Sequence, residues 1–312
     1  MSESVKGSLA MLFACVVWGF SAVYYKSIDH VPPLEVLCHR SLWSLVFLLM
    51  VLAVQGRLGM LRDMLGNPRA LCWIGVAALM ISTNWFLFIF AVQTGRTVDS
   101  SLGYFIFPLL AVLLGAFVLG ERLGTLKWVA VGLAALAVTG LTVALGAAPW
   151  ISLTLAVTFA FYGLLKKQID AGPVVSVTLE VLLISPLVLF WIWGAETQGW
   201  TAFGDQEAGA FGNSWSDSLL LMFSGVLTGG PLILMSYASK RISLATLGLL
   251  TYVNPTLQFV VAVALFGEVI TPAHMVAFPI IWVALALYSA VSFAEERSAR
   301  KASRNSAAVP TI

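Results

Sequence analysis

Long apolar segments alternate with short polar turns along almost the whole chain. A helix needs about 20 apolar residues to cross the hydrocarbon core of a membrane. Windows of that kind fit ten times, at 7–28, 34–54, 70–93, 99–119, 126–145, 149–165, 175–193, 217–238, 243–266 and 271–293. Breakers such as Pro32-Pro33 and Gly172-Pro173 separate neighbouring windows. The pattern predicts an all-α polytopic membrane protein with ten transmembrane helices, of which the sixth is short.

The composition supports this class and excludes the soluble ones. Of the 312 residues, 60% are hydrophobic and 10% are charged, whereas a soluble domain carries about 25% charged residues. So few charged side chains cannot cover the surface of a soluble globule of this length. A soluble enzyme, a nucleic-acid-binding protein and a secreted disulfide-stabilised domain are therefore excluded, and we expect no nucleic-acid partner.

The basic residues predict the orientation, because cytoplasmic loops carry an excess of Lys and Arg. With the N-terminus in the cytoplasm, only Lys26 and Arg96 of the 17 basic residues fall outside. Arg40 falls within a span, which leaves 14 basic residues on the cytoplasmic side. We therefore expect a protein of the cytoplasmic membrane with both termini in the cytoplasm.

Two polar segments lie outside the predicted spans. Residues 295–312 are polar and rich in small side chains, and we expect them to form a disordered cytoplasmic tail. The loop from Gly194 to Ser216 is expected outside, on the membrane interface, with Trp200, Phe211 and Trp215 in contact with lipid.

Two segments, 102–123 and 249–270, resemble each other at a constant offset of 147 residues. The offset pairs Leu102 with Leu249, Pro108 with Pro255, Gly120 with Gly267 and Glu121 with Glu268. The match indicates either an internal repeat or the general similarity of apolar helices. A repeat divides the chain into residues 1–146 and 147–294, with five helices each. Because five is odd, the second repeat is inverted, which is the arrangement that alternating access requires.

Five segments carry a resemblance to a known family. They read VVWGFSAVYYK (16–26), PPLEVLCHRSLWS (32–44), TNWFLFIFAVQTGRTVDSSLGYFIFP (83–108), TLEVLLISP (178–186) and SLATLGLLTYVNPTLQF (243–259). The chain resembles the EamA-type permeases of the drug/metabolite transporter superfamily, and among them the RarD family. The resemblance implies a ten-helix permease of the bacterial inner membrane with both termini inside, and it makes export the expected direction.

Predicted helix 2 carries the densest group of polar side chains inside a span. Glu35, His39 and Trp43 are four residues apart on one face, and Arg40 lies about 100° further round. In a binding site, Arg40 would hold an anionic or carbonyl group, and Glu35 and His39 would position it or carry a proton. Alternatively, Arg40 extends to the outer membrane interface and pairs with Glu35 or Asp99.

Glu180 lies about six residues, or roughly 9 Å, inside predicted helix 7. Acids inside spans often mark substrate or proton pathways, so Glu180 is a candidate coupling site for protons or an acceptor for a ligand. The alternative is a protonated glutamate that donates to a backbone carbonyl. We interpret Lys166 and Lys167 as ordinary cytoplasmic charges.

Pro108 and Pro255 are predicted to break their helices near the middle of the membrane. Each proline frees the carbonyl four residues earlier, on Tyr104 and Thr251. Paired broken helices are typical of transporter sites, although a packing kink gives the same pattern. Further candidate lining residues lie at similar depth: Asn84, Trp85, Tyr252, Asn254 and Gln258.

Motifs for other activities are missing from the sequence. It contains no G-x-x-x-x-G-K-[ST], no H-E-x-x-H and no G-x-S-x-G with a plausible base, and we expect no cofactor, no metal and no enzymatic activity. The preferred function is secondary transport of small amphipathic metabolites or drugs by alternating access. A membrane enzyme using Glu35, His39 and Glu180 as acid–base groups, and a channel-like pore, stay open as alternatives.

Overall fold

Twelve α-helices and one π-helical segment form the described part of this computed structural model, which covers residues 2–120, 123–169, 171–200 and 209–307. The helices are α1 Glu3–Ser27, α2 Pro33–Val54, α3 Leu58–Leu65, α4 Pro68–Gln93, α5 Thr97–Leu119, α6 Thr125–Leu145, α7 Trp150–Lys166, α8 Pro173–Gln198, α9 Trp215–Ser239, α10 Leu244–Thr251, α11 Val253–Val260 and α12 Pro272–Ala307. The π-helical segment Val261–Leu265 follows α11 directly. Glu121 lies outside the described residues.

The helices confirm the all-α polytopic prediction. Among the described residues, nine helical stretches are long and apolar enough to cross a membrane, and α7 is a shorter apolar helix of 17 residues. Together they account for the ten predicted segments. Helix α3 lies in the loop between α2 and α4, where the sequence reading placed no helix; only Leu61 of its eight residues is buried.

The two predicted helix breaks have different outcomes. At Pro255 the span is divided, because α10 ends at Thr251 and α11 begins at Val253. Proline is tolerated in the first turn of a helix, where its missing N–H has no intrahelical partner. The prediction is wrong for Pro108, which lies inside the uninterrupted α5. Extensive packing of α5 against α7 offers a reason, since contacts along a helix can offset one lost hydrogen bond.

The contacts between helices follow a paired pattern. Helix α1 packs against α9 and α11, and α7 packs against α4 and α5. Helix α2 contacts α9, whereas α8 contacts α4; α2 also contacts α8, α5 contacts α11, and α6 contacts α12. The two halves can be matched helix by helix: α1 with α7, α2 with α8, α4 with α9, α5 with α10 and α11, and α6 with α12. When each helix is exchanged for its match, the same set of contacts results. A two-fold relation between the halves would produce this pattern.

Glycines bring α9 close to α2 at the depth of the polar residues. A Cβ atom on Gly225 would lie 2.4 Å from the backbone carbonyl carbon of Trp43, and one on Gly229 would lie 2.5 Å from the Phe47 ring. Helices in membranes associate closely where small residues meet. The close approach places Thr228, between these glycines, beside Arg40 of α2.

The structure corrects two expectations about the polar segments. Helix α12 continues to Ala307, so residues 295–307 are helical instead of disordered, and residues 308–312 of the predicted tail lie outside the described residues. The helical stretch contains no Gly or Pro and is rich in helix-forming residues. Phe211 is half-buried and packs against α2 instead of pointing away from the protein: its ring centroid lies 4.7 Å from that of His39 and 6.0 Å from that of Trp43. Trp215 is 86% exposed, as expected of a lipid-facing side chain.

Candidate functional site

A cavity of about 400 Å³ lies between the two halves of the chain. Residues from α1, α2, α4, α5, α7, α8, α9, α10 and α11 line it. Eight of the predicted site residues are among them: Arg40, Asn84, Trp85, Tyr104, Tyr252, Asn254, Pro255 and Gln258. Glu35, His39, Trp43, Pro108 and Glu180 are not among its lining residues.

Arg40 is the buried cation of this cavity and is 6% exposed. Its Nε donates to Thr228 Oγ1 at 3.0 Å, and its Cζ lies 4.3 Å from the ring centroid of Trp85 and 5.5 Å from that of Tyr25. Its Nη1 is buried and has no hydrogen-bond partner among the described residues. Arg40 therefore points into the protein, and the alternative in which it extends to the membrane interface does not describe the structure.

The acids proposed as partners for Arg40 are engaged elsewhere. Asp99 accepts from Arg96 at 2.8 Å. Glu35 accepts from the backbone N–H groups of Gly209, at 2.9 Å, and Ala210, at 2.7 Å. Glu35 thus ties the loop before α9 to the first turn of α2, and it does not join Arg40 in one polar cluster.

His39 and Trp43 lie against the same loop. The His39 ring stacks on Phe211. Within the part of the chain that the structure describes, His39 Nδ1 and Trp43 Nε1 have no hydrogen-bond partner. Arg40 directly follows His39, and successive helical residues point about 100° apart, so its side chain leaves the His39 face and meets Thr228 and Trp85 instead. The predicted group on α2 is therefore split between a loop contact and the cavity wall.

Asn84 joins three helices at the cavity. Its Nδ2 donates to Leu155 O at 2.9 Å and Thr158 Oγ1 at 3.2 Å, and its Oδ1 accepts from the Tyr104 hydroxyl at 2.9 Å. On α11, the Gln258 side-chain amide Nε2 donates to Asn254 Oδ1 at 3.0 Å. These bonds hold polar side chains from both halves in fixed positions on the cavity wall.

Glu180 lies immediately behind the wall in an ion pair with Lys166. The distance from Lys166 Nζ to Glu180 Oε1 is 2.7 Å, and the Glu180 side chain is 0% exposed. Ser176 Oγ donates to the same oxygen at 2.9 Å, and the Tyr162 hydroxyl donates to Oε2 at 3.0 Å. Lys166 and Tyr162 line the cavity, so they connect its interior to the buried carboxylate.

The cavity approaches one end of the helix bundle more closely than the other. Its lining reaches Lys166 and Pro173, on both sides of the α7–α8 turn. In the other direction, its lining on α9 stops at Thr228, well before the end of that helix at Trp215. We call the end with the α7–α8 turn the open end and the other the closed end.

Polar contacts between helices hold the closed end together. Glu268 accepts from the backbone N–H groups of Thr97 and Val98 at 2.8 Å each, which joins the end of the broken span to the start of α5. Gln93 Nε2 donates to Ile28 O at 3.0 Å.

A second crevice of about 790 Å³ lies between α5, α7, α10 and α12, and it shares Phe107, Thr251 and Tyr252 with the cavity.

Comparison with known proteins assigns the family. Residues 5–143 match the model of the EamA-like transporter family. Protein RarD of Salmonella typhimurium is 38% identical over 289 residues, which cover 92% of this chain and 95% of that protein. Protein RarD of Escherichia coli is 36% identical over 290 residues, with 92% and 94% covered. The chain belongs to the RarD family.

Two further proteins are similar to this chain over most of its length. An uncharacterized transporter of Vibrio cholerae is 36% identical over 301 residues, which cover 96% of this chain and 97% of that protein. A solved structure with a TM-score of 0.55 and 20% identity covers 90% of this chain and 96% of its own, and this likeness concerns the fold alone. The chain is a multi-pass membrane transporter.

Sequence reasoning missed two residues of this candidate site. Lys166 was assigned to the cytoplasmic charges, yet it pairs with Glu180 across the α7–α8 hairpin. A lysine at the end of one helix and an acid two turns into the next would have indicated the pair. Thr228, which binds Arg40, gave no signal, because hydroxyl side chains are common in spans.

Proposed function

We propose that this chain is a secondary transporter that moves small amphipathic organic molecules across the cytoplasmic membrane by alternating access. The proposal rests on the cavity between the two halves. This cavity approaches the open end, and interhelical contacts separate it from the closed end. Polar groups of both halves line it, among them Asn84 and Asn254. Export is the direction that the family resemblance favours.

The paired helix contacts support an inverted repeat of residues 1–146 and 147–294. Each contact of α1 with the second half has a counterpart made by α7 with the first half. Two related halves give two conformations of similar energy, one open to each side of the membrane. Rocking of the halves around the cavity would then expose it alternately.

The charge distribution supports an orientation in which the open end faces the cytoplasm. Lys166 and Lys167 lie at this end of α7, beside the α7–α8 turn. Lys26 and Arg96, the two basic residues on the opposite side, lie at the closed end. The structure then corresponds to an inward-facing conformation.

The contacts favour a transporter over the two alternatives. Glu35 binds a backbone loop, His39 stacks on Phe211, and Glu180 pairs with Lys166. An enzyme would need these acid–base groups around one substrate, but Glu35 and Glu180 are held by different elements. A channel would need an open path at both ends, whereas Glu268 joins the helices at one of them.

Counterflow in proteoliposomes tests the proposal. Vesicles loaded with millimolar organic acids, amines or neutral metabolites should accumulate the labelled compound transiently above its equilibrium level, and the exchange should saturate. Asn84→Leu should slow the exchange, because it removes the cavity amide that holds Tyr104, whereas Gln55→Leu at the exposed end of α2 should not. Uptake that never exceeds equilibrium would indicate a channel, and conversion of the compound would indicate an enzyme.

A further inference from the structure

The Arg40 guanidinium lacks an anionic partner in the cavity. Arg40 is only 6% exposed, and its Nη1 is buried without a hydrogen bond from any described residue. Its neighbours Thr228, Trp85 and Tyr25 are uncharged. Among the residues that the structure describes, no carboxylate lies within ion-pair distance of it. Arginine stays charged at any physiological pH, so the site holds an uncompensated positive charge.

The other cation on the cavity wall is already balanced. Lys166 pairs with Glu180, which also accepts from Ser176 and Tyr162. Among the described residues that line the cavity, Arg40 is therefore the cation without an anionic partner. Burying such a charge is costly unless a partner satisfies it. A ligand with one negative charge would complete the site, whereas a cationic ligand would be repelled.

The remaining walls of the cavity are mainly aromatic. Trp18, Phe88, Phe107 and Phe159 line it together with Trp85. A volume of about 400 Å³ is within the range of small-molecule sites. Flat apolar groups pack well on aromatic rings, and a carboxylate matches the planar fork of a guanidinium better than a point charge does.

We propose that the transported substrate is a small organic monocarboxylate with a ring-sized apolar body, and that its carboxylate binds the Arg40 guanidinium, which lines the cavity. The apolar body lies against the aromatic walls. This assignment rests on the proposed transport function and specifies its substrate class. Arg40 is then a substrate-binding residue, and its contacts with Trp85 and Thr228 orient the guanidinium for the ligand.

The test uses acid–amide pairs of matched shape. Phenylacetate and phenylacetamide, and indole-3-acetate and indole-3-acetamide, are titrated by calorimetry into the full chain in detergent. The wild-type protein should bind each acid at least about ten-fold more tightly than its amide, the size expected for a charge-assisted hydrogen bond. Arg40→Gln should abolish this preference while amide binding changes by less than about three-fold, and Arg40→Lys should retain part of it.

The control variant is Arg241→Gln, which removes another arginine that lies over an aromatic ring, Tyr237, outside the cavity. It should leave the acid preference unchanged. Three results would overturn the assignment. Arg40→Gln could weaken the binding of acid and amide equally, the wild-type protein could bind acid and amide equally well, or neither acid could bind at millimolar concentration. Counterflow of benzylamine or phenylacetamide that Arg40→Gln leaves unchanged would retain the transport function and refute the carboxylate class.

Discussion

Replacing Lys166 with Met is expected to abolish transport and to lower the free energy of unfolding by about 3 kcal/mol. The substitution removes the cation that lies 2.7 Å from Glu180, whose side chain is 0% exposed. A buried carboxylate without its partner must either stay charged at high cost or take up a proton, and both outcomes disturb its bonds from Ser176 and Tyr162. Reversible denaturation in mixed micelles measures the stability, and counterflow measures the transport.

The double variant Lys166→Met/Glu180→Gln separates the two effects. It replaces the ion pair by neutral groups of similar size, so most of the lost stability should return. Transport should stay impaired, because the cavity wall still lacks the Lys166 ammonium. The control is Lys127→Met, which breaks the Lys127–Glu295 pair away from the central cavity and should cost about 1 kcal/mol or less. A Lys166→Met protein as stable and active as the wild type would contradict this account.

Replacing Glu268 with Gln is expected to open the closed end. The Glu268 carboxylate accepts two backbone N–H groups at the start of α5, where the helix dipole also favours a negative charge. Glutamine keeps one acceptor oxygen and places an NH₂ group against the second N–H. Loss of a charge-assisted hydrogen bond corresponds to about a ten-fold shift between conformations.

Cysteine labelling measures this shift. A cysteine in place of Ser100, which is buried one turn below the Glu268 contact, is introduced after replacement of the three native cysteines. An impermeant maleimide added to intact cells should then label it about ten-fold faster in Glu268→Gln, but not in Asp29→Asn at the same end. Faster labelling only in inverted vesicles would contradict the orientation, and an unchanged rate would contradict the role of Glu268.

The spans could be predicted because the membrane limits the possible structures. Each backbone polar group in the hydrocarbon must bond within its own helix, so apolar length alone indicates helices such as α5 and α12. Whether each proline breaks its helix could not be predicted in the same way. Pro108 and Pro255 give the same local signal, yet only the second falls in the first turn of a new helix. Packing decides between the two outcomes.

The candidate site could be predicted only in part. Arg40 and Asn84 were found because polar groups in a span must face protein or water. The partners were missed because they depend on tertiary contacts: Thr228 meets Arg40 across the close α2–α9 approach. Glu35 was assigned to the cavity because nothing in its sequence neighbourhood indicates that the distant Gly209 and Ala210 would bind it.

Pulsed electron spin resonance between paired spin labels tests alternating access most directly. One pair joins Val118 of α5 to Leu249 of α10 at the open end, and the other joins His30 to Val269 at the closed end; all four positions are exposed. The account predicts two distance populations for each pair, with the long distance at one end accompanying the short distance at the other. Glu268→Gln should shift both pairs together, toward closure at the open end. A single distance at the open end, unchanged in Glu268→Gln, would contradict the alternating-access account.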